Sequence, residues 1–84
     1  MKIRKQSYGN KNLIGKNVET LRKKQCIAQK DFVAKLQVAG LNINPTSYSK
    51  LEGQIRAASD KEVFIIAKTL KVAIEKLFEN SKME

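Results

Sequence analysis

Hydrogen-bonding side chains concentrate in one short stretch of the chain, residues 44–52. At helical spacing, Thr46, Ser49 and Lys50 share one side, and apolar residues spaced i, i+3, i+7 occupy the other. Hydroxyl and ammonium groups are hydrogen-bond donors, and the chain has no His to activate them as nucleophiles. The chemistry that this pattern supports is therefore recognition of acceptor atoms on a ligand. The apolar side consists of Tyr48, Leu51 and Ile55.

The residues that catalysis or metal binding requires are missing. The chain has no His and a single Cys, and the sequence shows no clustered carboxylates and no glycine-rich phosphate loop. We therefore expect no enzymatic activity, no metal site and no cofactor. Cys26 cannot form an internal disulfide, and we expect it to be reduced and partly buried in a cytoplasmic protein.

Positive charge is concentrated near the N-terminus. The net charge is +9, and residues 1–30 contain nine of the 17 basic residues but only one acidic residue, Glu19. Such asymmetry indicates a polyanionic partner. Nucleic acid is the first candidate, and an acidic membrane surface would suit the same charge.

The chain divides into three segments by composition. Residues 1–12 are basic and aperiodic and predict a flexible arm, either a tail without a role or an arm along phosphates or in a groove. Residues 13–79 form the predicted domain, and 80–84 a polar tail. No apolar run approaches the roughly 18 residues of a membrane span, and the N-terminus does not resemble a secretion signal. We expect a cytoplasmic protein without membrane association.

Apolar periodicity and capping signals predict five short helices and a compact all-α fold. Asn44 and Pro45 are typical of a helix start, and Ser59 with Glu62 forms a capping box. Gly40 should end the second helix in a left-handed conformation, and the apolar loop residues Leu41 and Ile43 should anchor the link 39–44 to the core. The expected helices span about 13–24, 29–38, 45–53, from the capping box to 70, and 73–79.

This order of parts resembles the lambda-repressor/Cro-type helix-turn-helix family over residues 13–79, nearly the whole predicted domain. The pattern is distributed over all five helices rather than held in one motif. It consists of Ile14-Gly15, Leu21-Arg22-Lys23, Gln29, Phe32-Val33-Ala34-Lys35-Leu36, Tyr48-Ser49-Lys50-Leu51-Glu52, Ile66-Ala67-Lys68-Thr69-Leu70-Lys71-Val72 and Leu77-Phe78.

The resemblance implies a five-helix bundle whose second helix crosses the DNA backbone and whose third enters the major groove. It also implies roles for individual residues. The expected base contacts are Thr46, Lys50, Ser47 and Pro45; the expected phosphate contacts are Gln29, Ser49, Arg56 and Lys30; and Arg22 with Glu52 would form an internal ion pair.

The chain departs from the family pattern in four places. The link between the second and third helices is longer than the family's tight turn. Ala28 stands where a capping Ser or Thr is usual. Cys26 and Gln54 stand where the family usually has glycine, with Gly53 one position early.

Sequence-specific binding of double-stranded DNA by a homodimeric transcriptional regulator, expected to be a repressor, is the leading hypothesis. Apolar residues of the last two helices would form either the dimer surface or the monomer core. Two alternatives stay open. One is a protein-interaction module, such as an antitoxin or anti-repressor with weak DNA binding, and the other is a non-specific binder of RNA or membrane surfaces. The apolar residues concerned are Phe64, Ile65, Ile74 and Phe78.

Overall fold

Five α-helices and no strand are found in residues 7–80, the part of the chain that the computed structural model describes. The all-α, five-helix class predicted from the sequence is therefore confirmed. None of the helices in this part of the chain is long and apolar enough to cross a membrane. The helices are α1 (Gly15–Lys24), α2 (Gln29–Val38), α3 (Pro45–Glu52), α4 (Asp60–Leu70) and α5 (Ile74–Leu77).

Side-chain caps mark the starts of α3 and α4. The side-chain oxygen Oδ1 of Asn44 accepts from the Ser47 N–H at 2.8 Å, and both bonds of the Ser59–Glu62 capping box form, as predicted. Helix α1 begins at Gly15, two residues later than expected, and the side-chain oxygen Oδ1 of Asn12 accepts from the backbone N–H groups of Ile14 and Gly15. Helix α2 begins at Gln29, as predicted, without a side-chain cap from Ala28.

Helices α1 to α4 all end in the same hydrogen-bonding arrangement, a Schellman motif. In each, one residue adopts positive φ and the N–H of the next residue bonds a carbonyl five residues back. Of the four positive-φ residues at these helix ends, only the one after α2 is glycine. The sequence therefore predicted this kind of helix end only for α2. The positive-φ residues are Cys26 (φ 59°), Gly40 (φ 103°), Gln54 (φ 60°) and Lys71 (φ 61°), followed in turn by Ile27, Leu41, Ile55 and Val72.

The core lies between α3 and the helices around it. Helix α3 packs against α1 and α2, while α4 packs against α1, α2 and α5. Tyr48 and Phe32 meet inside with ring centroids 5.6 Å apart, and Leu41 and Ile43 anchor the 39–44 link as predicted. Other buried members are Ile14, Val18, Val33, Leu36, Leu51, Ile66, Ala67, Leu70 and Leu77.

The structure corrects one expectation about burial, at Cys26, and decides two points that the sequence left open. Ile55 is half-exposed because α3 ends at Glu52 and the left-handed Gln54 redirects the chain before the apolar stripe continues. Cys26 is exposed because it forms the turn after α1. The possibility that the apolar residues of α4 and α5 all fill the core fails, since only Ile65 packs partly against it. The other three, Phe64, Ile74 and Phe78, are exposed.

Part of the predicted basic arm is hydrogen-bonded to the end of α3. The N–H of Gly9 donates to the carbonyl of Gly53, and the N–H of Lys11 donates to that of Gln54, each at 2.8 Å. Residues 7–12 thus associate with the helical domain. Residues 1–6 of the arm and 81–84 of the tail lie outside the described residues.

Replacing Cys26 by glycine should stabilise the protein by about 1 kcal/mol. An exposed residue with a Cβ is strained at φ 59°, and glycine relieves this strain while adding some entropy to the unfolded chain. Urea unfolding measures the change. Cys26→Ala is the matched control, because it removes the thiol but keeps the Cβ. Equal stability of the two variants would contradict the assignment of strain to this turn.

Candidate nucleic-acid interface

A buried carboxylate fixes the position of α3. Glu52, at the end of that helix, has no exposed surface and accepts hydrogen bonds from two other helices. Arg22 of α1 donates through Nε at 2.6 Å and through Nη2 at 3.2 Å, which forms the expected ion pair. Gln29 at the start of α2 donates its amide at 2.9 Å, and the Tyr48 hydroxyl, one turn back in α3, donates as well. These hydrogen bonds join α1, α2 and α3 at the carboxylate of Glu52.

Burial and charge act together on the ionisable groups around Glu52. Burial alone would lower the pKa of Arg22, but the hydrogen bond and charge of Glu52 outweigh it, so that this pKa is raised. Burial and the nearby Glu52 charge both raise the pKa of the Tyr48 hydroxyl. Arg22 therefore stays cationic and Tyr48 stays a hydrogen-bond donor across the physiological range. A buried carboxylate tolerates desolvation only with this many donors.

An open groove with a volume of about 570 Å³ lies beside α3. All four residues expected to contact bases line it. Pro45, Thr46 and Lys50 are exposed, and Ser47 is half-buried. The groove therefore presents hydroxyl and ammonium donors on a concave surface. Its lining is Asn44, Pro45, Thr46, Ser47, Lys50, Ile55 and Arg56.

The residues expected to contact phosphates divide into two pairs. Lys30 and Ser49 are exposed on α2 and α3. Gln29 and Arg56 instead make contacts within the protein. The amide of Gln29 donates to the carboxylate of Glu52 and so braces the end of α3. The two pairs therefore differ. Lys30 and Ser49 present their polar groups at the surface, whereas Gln29 and Arg56 use theirs in hydrogen bonds within the protein.

Arg56 is held mainly by its own protein. Its Nε donates to the Ser47 carbonyl at 2.9 Å, and its two terminal nitrogens bind both oxygens of Glu62, at 3.0 and 2.7 Å. One of these nitrogens also donates to the Ala57 carbonyl. A cation whose charge is balanced in this way is a weaker phosphate ligand than an exposed lysine. The geometry gives Arg56 a structural role, joining the start of α4 to α3.

The contacts of Glu62 with Arg56 and Ser59 shift the pKa of its carboxyl group. Burial acts to raise its pKa, but the hydrogen bonds from Arg56 and from the Ser59 backbone outweigh burial, so the pKa lies below its ordinary value of 4.5. Glu62 therefore serves two purposes, as the acidic partner of Arg56 and as the second half of the capping box.

Sequence reasoning missed two polar residues that support α3. The Asn12 amide donates to the carbonyls of Leu51 and Arg56, both at 2.9 Å. The Gln54 side chain accepts from the Lys16 N–H at 2.9 Å and donates to the Gly9 carbonyl at 3.1 Å. Gln54 stands where the resembling family has glycine, and that departure was the available signal.

Residues 7–80 contain no group of three or more His, Cys, Asp or Glu side chains arranged to hold a metal ion. No protein-family model, curated protein or solved structure matches the chain. Its function has to be inferred from its own residues and geometry.

Glu52→Gln should destabilise the fold by about 3–5 kcal/mol, because it leaves the buried Arg22 cation without a counter-charge. Urea unfolding gives the free energy. The matched control is Glu79→Gln, which removes an exposed ion pair with Lys76 and should cost less than about 1 kcal/mol. Similar losses in the two variants would show that the buried network does not hold the helices together.

Stability should depend on pH through Glu62. Because its folded-state pKa is lowered, its ionised form stabilises the fold above about pH 4.5, and this contribution is lost as the pH falls further. Glu62→Gln keeps a capping-box side chain but removes the charge. The unfolding free energies of wild type and variant should therefore differ near neutral pH and converge towards pH 3. A difference independent of pH would contradict the ion-pair assignment.

Proposed function

We propose that the protein binds double-stranded DNA sequence-specifically, with α3 in the major groove, and acts in the cytoplasm as a transcriptional regulator of the repressor type. The observation that carries this proposal is the groove beside α3. It gathers Pro45, Thr46, Ser47 and Lys50 on one surface of a protein with net charge +9. Hydroxyl and ammonium donors at the start of a helix suit the acceptor atoms of base edges.

The backbone supports the resemblance to lambda-repressor/Cro-type domains. Cys26 and Gln54 stand where that family usually has glycine, and both adopt positive φ, near 60°. Positive φ is the conformation for which glycine is ordinarily chosen. The chain therefore keeps the turn geometry typical of the family while using other residues. Arg22 and Glu52 likewise form the internal pair that the resemblance implies.

The start of α2 provides the proposed phosphate site. Ala28 makes no side-chain cap, so the first N–H groups of this helix have no side-chain acceptor from that position. Such N–H groups and the positive end of the helix dipole attract phosphate. Lys30 is exposed on the first turn and adds a cation there. A phosphate at this place would fix the register of the protein on the duplex.

We further propose a homodimer that places two α3 helices about 34 Å apart, one helical turn of DNA. Phe64, Ile74 and Phe78 are exposed on α4 and α5, with 57%, 41% and 39% of their surface accessible. Exposed aromatic and aliphatic side chains of this size are typical of interfaces. The same observation favours a second candidate, a protein-interaction module with weak DNA binding. The two differ in whether a base sequence is selected.

Selection of bound sequences from random duplex DNA tests the proposal. We expect a defined motif, and we expect Lys50→Ala and Thr46→Ala each to relax the preference at one position, at a cost of about 1–3 kcal/mol per lost base contact. Lys68→Ala is the control, because this lysine is exposed on α4 and does not line the groove. It should leave the motif unchanged.

Two results would count against the proposal. Absence of an enriched motif would favour the interaction module, and a motif unchanged by both substitutions would remove α3 from base recognition. Lys30→Ala separates phosphate from base contacts. It should weaken binding to all sequences alike and reduce the slope of log affinity against log salt by about one unit.

A further inference from the structure

The α3 turn, residues 53–56, lacks a contact with the core that the turns after the other long helices have. After each of the first four helices, an apolar residue follows the positive-φ position, and an apolar contact there frequently accompanies this kind of helix end. Leu41 is buried, and Ile27 and Val72 pack against the core. Ile55, at the same place after α3, is 51% exposed and is not part of the core. The core therefore does not anchor the α3 turn.

Backbone hydrogen bonds attach the segment before α1 to this turn. The N–H groups of Gly9 and Lys11 donate to the carbonyls of Gly53 and Gln54, each at 2.8 Å. The side-chain amide of Gln54 donates in return to the Gly9 carbonyl at 3.1 Å. Residues 9–11 therefore run alongside the α3 turn and bind it from outside the core.

Asn12 binds the same turn on both of its sides. Its side-chain amide donates to the carbonyl of Leu51, before the positive-φ residue, and to that of Arg56, after it, each at 2.9 Å. One planar amide that binds two carbonyls restricts the distance between them. The Oδ1 of Asn12 accepts from the start of α1, and α1 packs against α3. Asn12 thus fixes the turn relative to both helices.

The segment also packs closely against the turn. A Cβ at Gly9 would lie 2.4 Å from the Gln54 carbonyl oxygen and 3.0 Å from Cγ2 of Ile55. The shorter distance is far inside van der Waals contact, so a side chain at position 9 would push the segment and the turn apart. Ile55 therefore lies beside the segment and also lines the groove.

The α3 turn forms one wall of the groove. Ile55 and Arg56 come from the turn, whereas Thr46 and Lys50 come from α3 itself. The separation of these two walls decides which groups of a ligand the α3 donors reach together. A recognition site has to hold its groups within about 0.5 Å of the productive geometry. The contacts of residues 9–12 act on the wall that the core leaves unanchored.

We propose that residues 9–12 are a positioning element for the groove, with Asn12 as its main positioning residue. They hold the α3 turn in place relative to α3 and thereby increase the discrimination between base sequences. This inference rests on the proposed DNA-binding function. Neither Gly9 nor Asn12 lines the groove, so both act through the turn. Releasing the segment should reduce the preference for the selected motif more than the affinity for DNA in general.

Asn12→Asp and Asn17→Asp form a matched pair that tests the proposal. Asn17 also donates its side-chain amide to two backbone carbonyls, those of Leu77 at 2.8 Å and Glu79 at 2.7 Å, which do not line the groove. Each substitution keeps a side-chain oxygen, removes the amide donor and adds one negative charge. The two variants therefore differ in which part of the backbone is released.

Gly9→Ala is a second variant, without a change of charge. Its methyl group would collide with the Gln54 carbonyl oxygen, so the segment has to move away from the turn although the Asn12 side chain is unaltered. In both Gly9→Ala and Asn12→Asp, the Lys11 N–H, which binds the same carbonyl, should lose protection from hydrogen exchange. In Asn17→Asp this protection should remain.

The decisive measurement is the ratio of Kd for a scrambled duplex to Kd for the selected motif, by fluorescence anisotropy at constant salt. An added negative charge weakens binding to both duplexes alike, so the ratio is insensitive to it. Asn12→Asp and Gly9→Ala should lower the ratio about fivefold or more, the effect of one lost base contact. Asn17→Asp should keep it within about twofold of wild type. Urea unfolding checks that each variant is folded.

The outcomes separate this inference from the proposed function. A motif that Asn12→Asp and Gly9→Ala select as well as wild type overturns the positioning role and leaves DNA binding intact. An equal loss of discrimination in Asn17→Asp also overturns it, because the effect would then be general destabilisation. Absence of any motif for the wild-type protein overturns the proposed function together with the inference.

Discussion

The buried carboxylate of Glu52 is the contact on which the rest of the structure depends. Moving a charge out of water costs several kcal/mol, and hydrogen-bond donors around the buried carboxylate have to offset this cost of desolvation. Those donors come from α1, from the start of α2 and from within α3. Satisfying one acidic group therefore sets α3 relative to both helices that pack against it. The position of the groove on the same helix depends on this geometry, although the donors to Glu52, which are Arg22, Gln29 and Tyr48, do not line the groove.

The end of α3 is held by a second set of contacts, made by the backbone of neighbouring segments. A Cβ at Gly15 would lie 2.4 Å from the Leu51 carbonyl oxygen, so glycine permits the start of α1 to approach this closely. The side-chain amide nitrogen of Asn12 donates to the Leu51 carbonyl, and its side-chain oxygen Oδ1 accepts from the N–H groups of Ile14 and Gly15 at the start of α1. One asparagine thus starts a helix and secures the end of another. Asn12 belongs to the predicted arm, and the basic, aperiodic composition of that arm did not indicate these contacts.

Helix positions and caps were predictable because their causes are local. Asn44, Ser59 and Glu62 act within three residues of their partners, and α2 has the bounds expected from its periodicity. The failures have non-local or backbone causes. In the sequence, Ile55 continues the apolar stripe of α3. Its exposure results from the positive φ of Gln54, a backbone conformation that residues other than glycine rarely adopt and that the residue type therefore did not indicate. The pairing of Arg56 with Glu62 depends on how the loop between α3 and α4 folds, so the sequence did not indicate this internal bridge, and the expected phosphate contact of Arg56 stays a prediction.

The internal use of Arg56 limits what the groove can recognise. Of its two cations, Arg56 is balanced by Glu62 and Lys50 is exposed. One lysine, a few hydroxyls and an apolar wall contact only a few base pairs, and each good contact contributes about 1–3 kcal/mol of discrimination. Under the proposed function, a single domain would therefore select sites weakly. Two domains bound to one duplex would double the free energy of discrimination between sites, since both half-sites must match. Under the same proposal, a dimer formed through the exposed apolar residues of α4 and α5 would supply the second half-site that a reading surface this small needs to select one site among many.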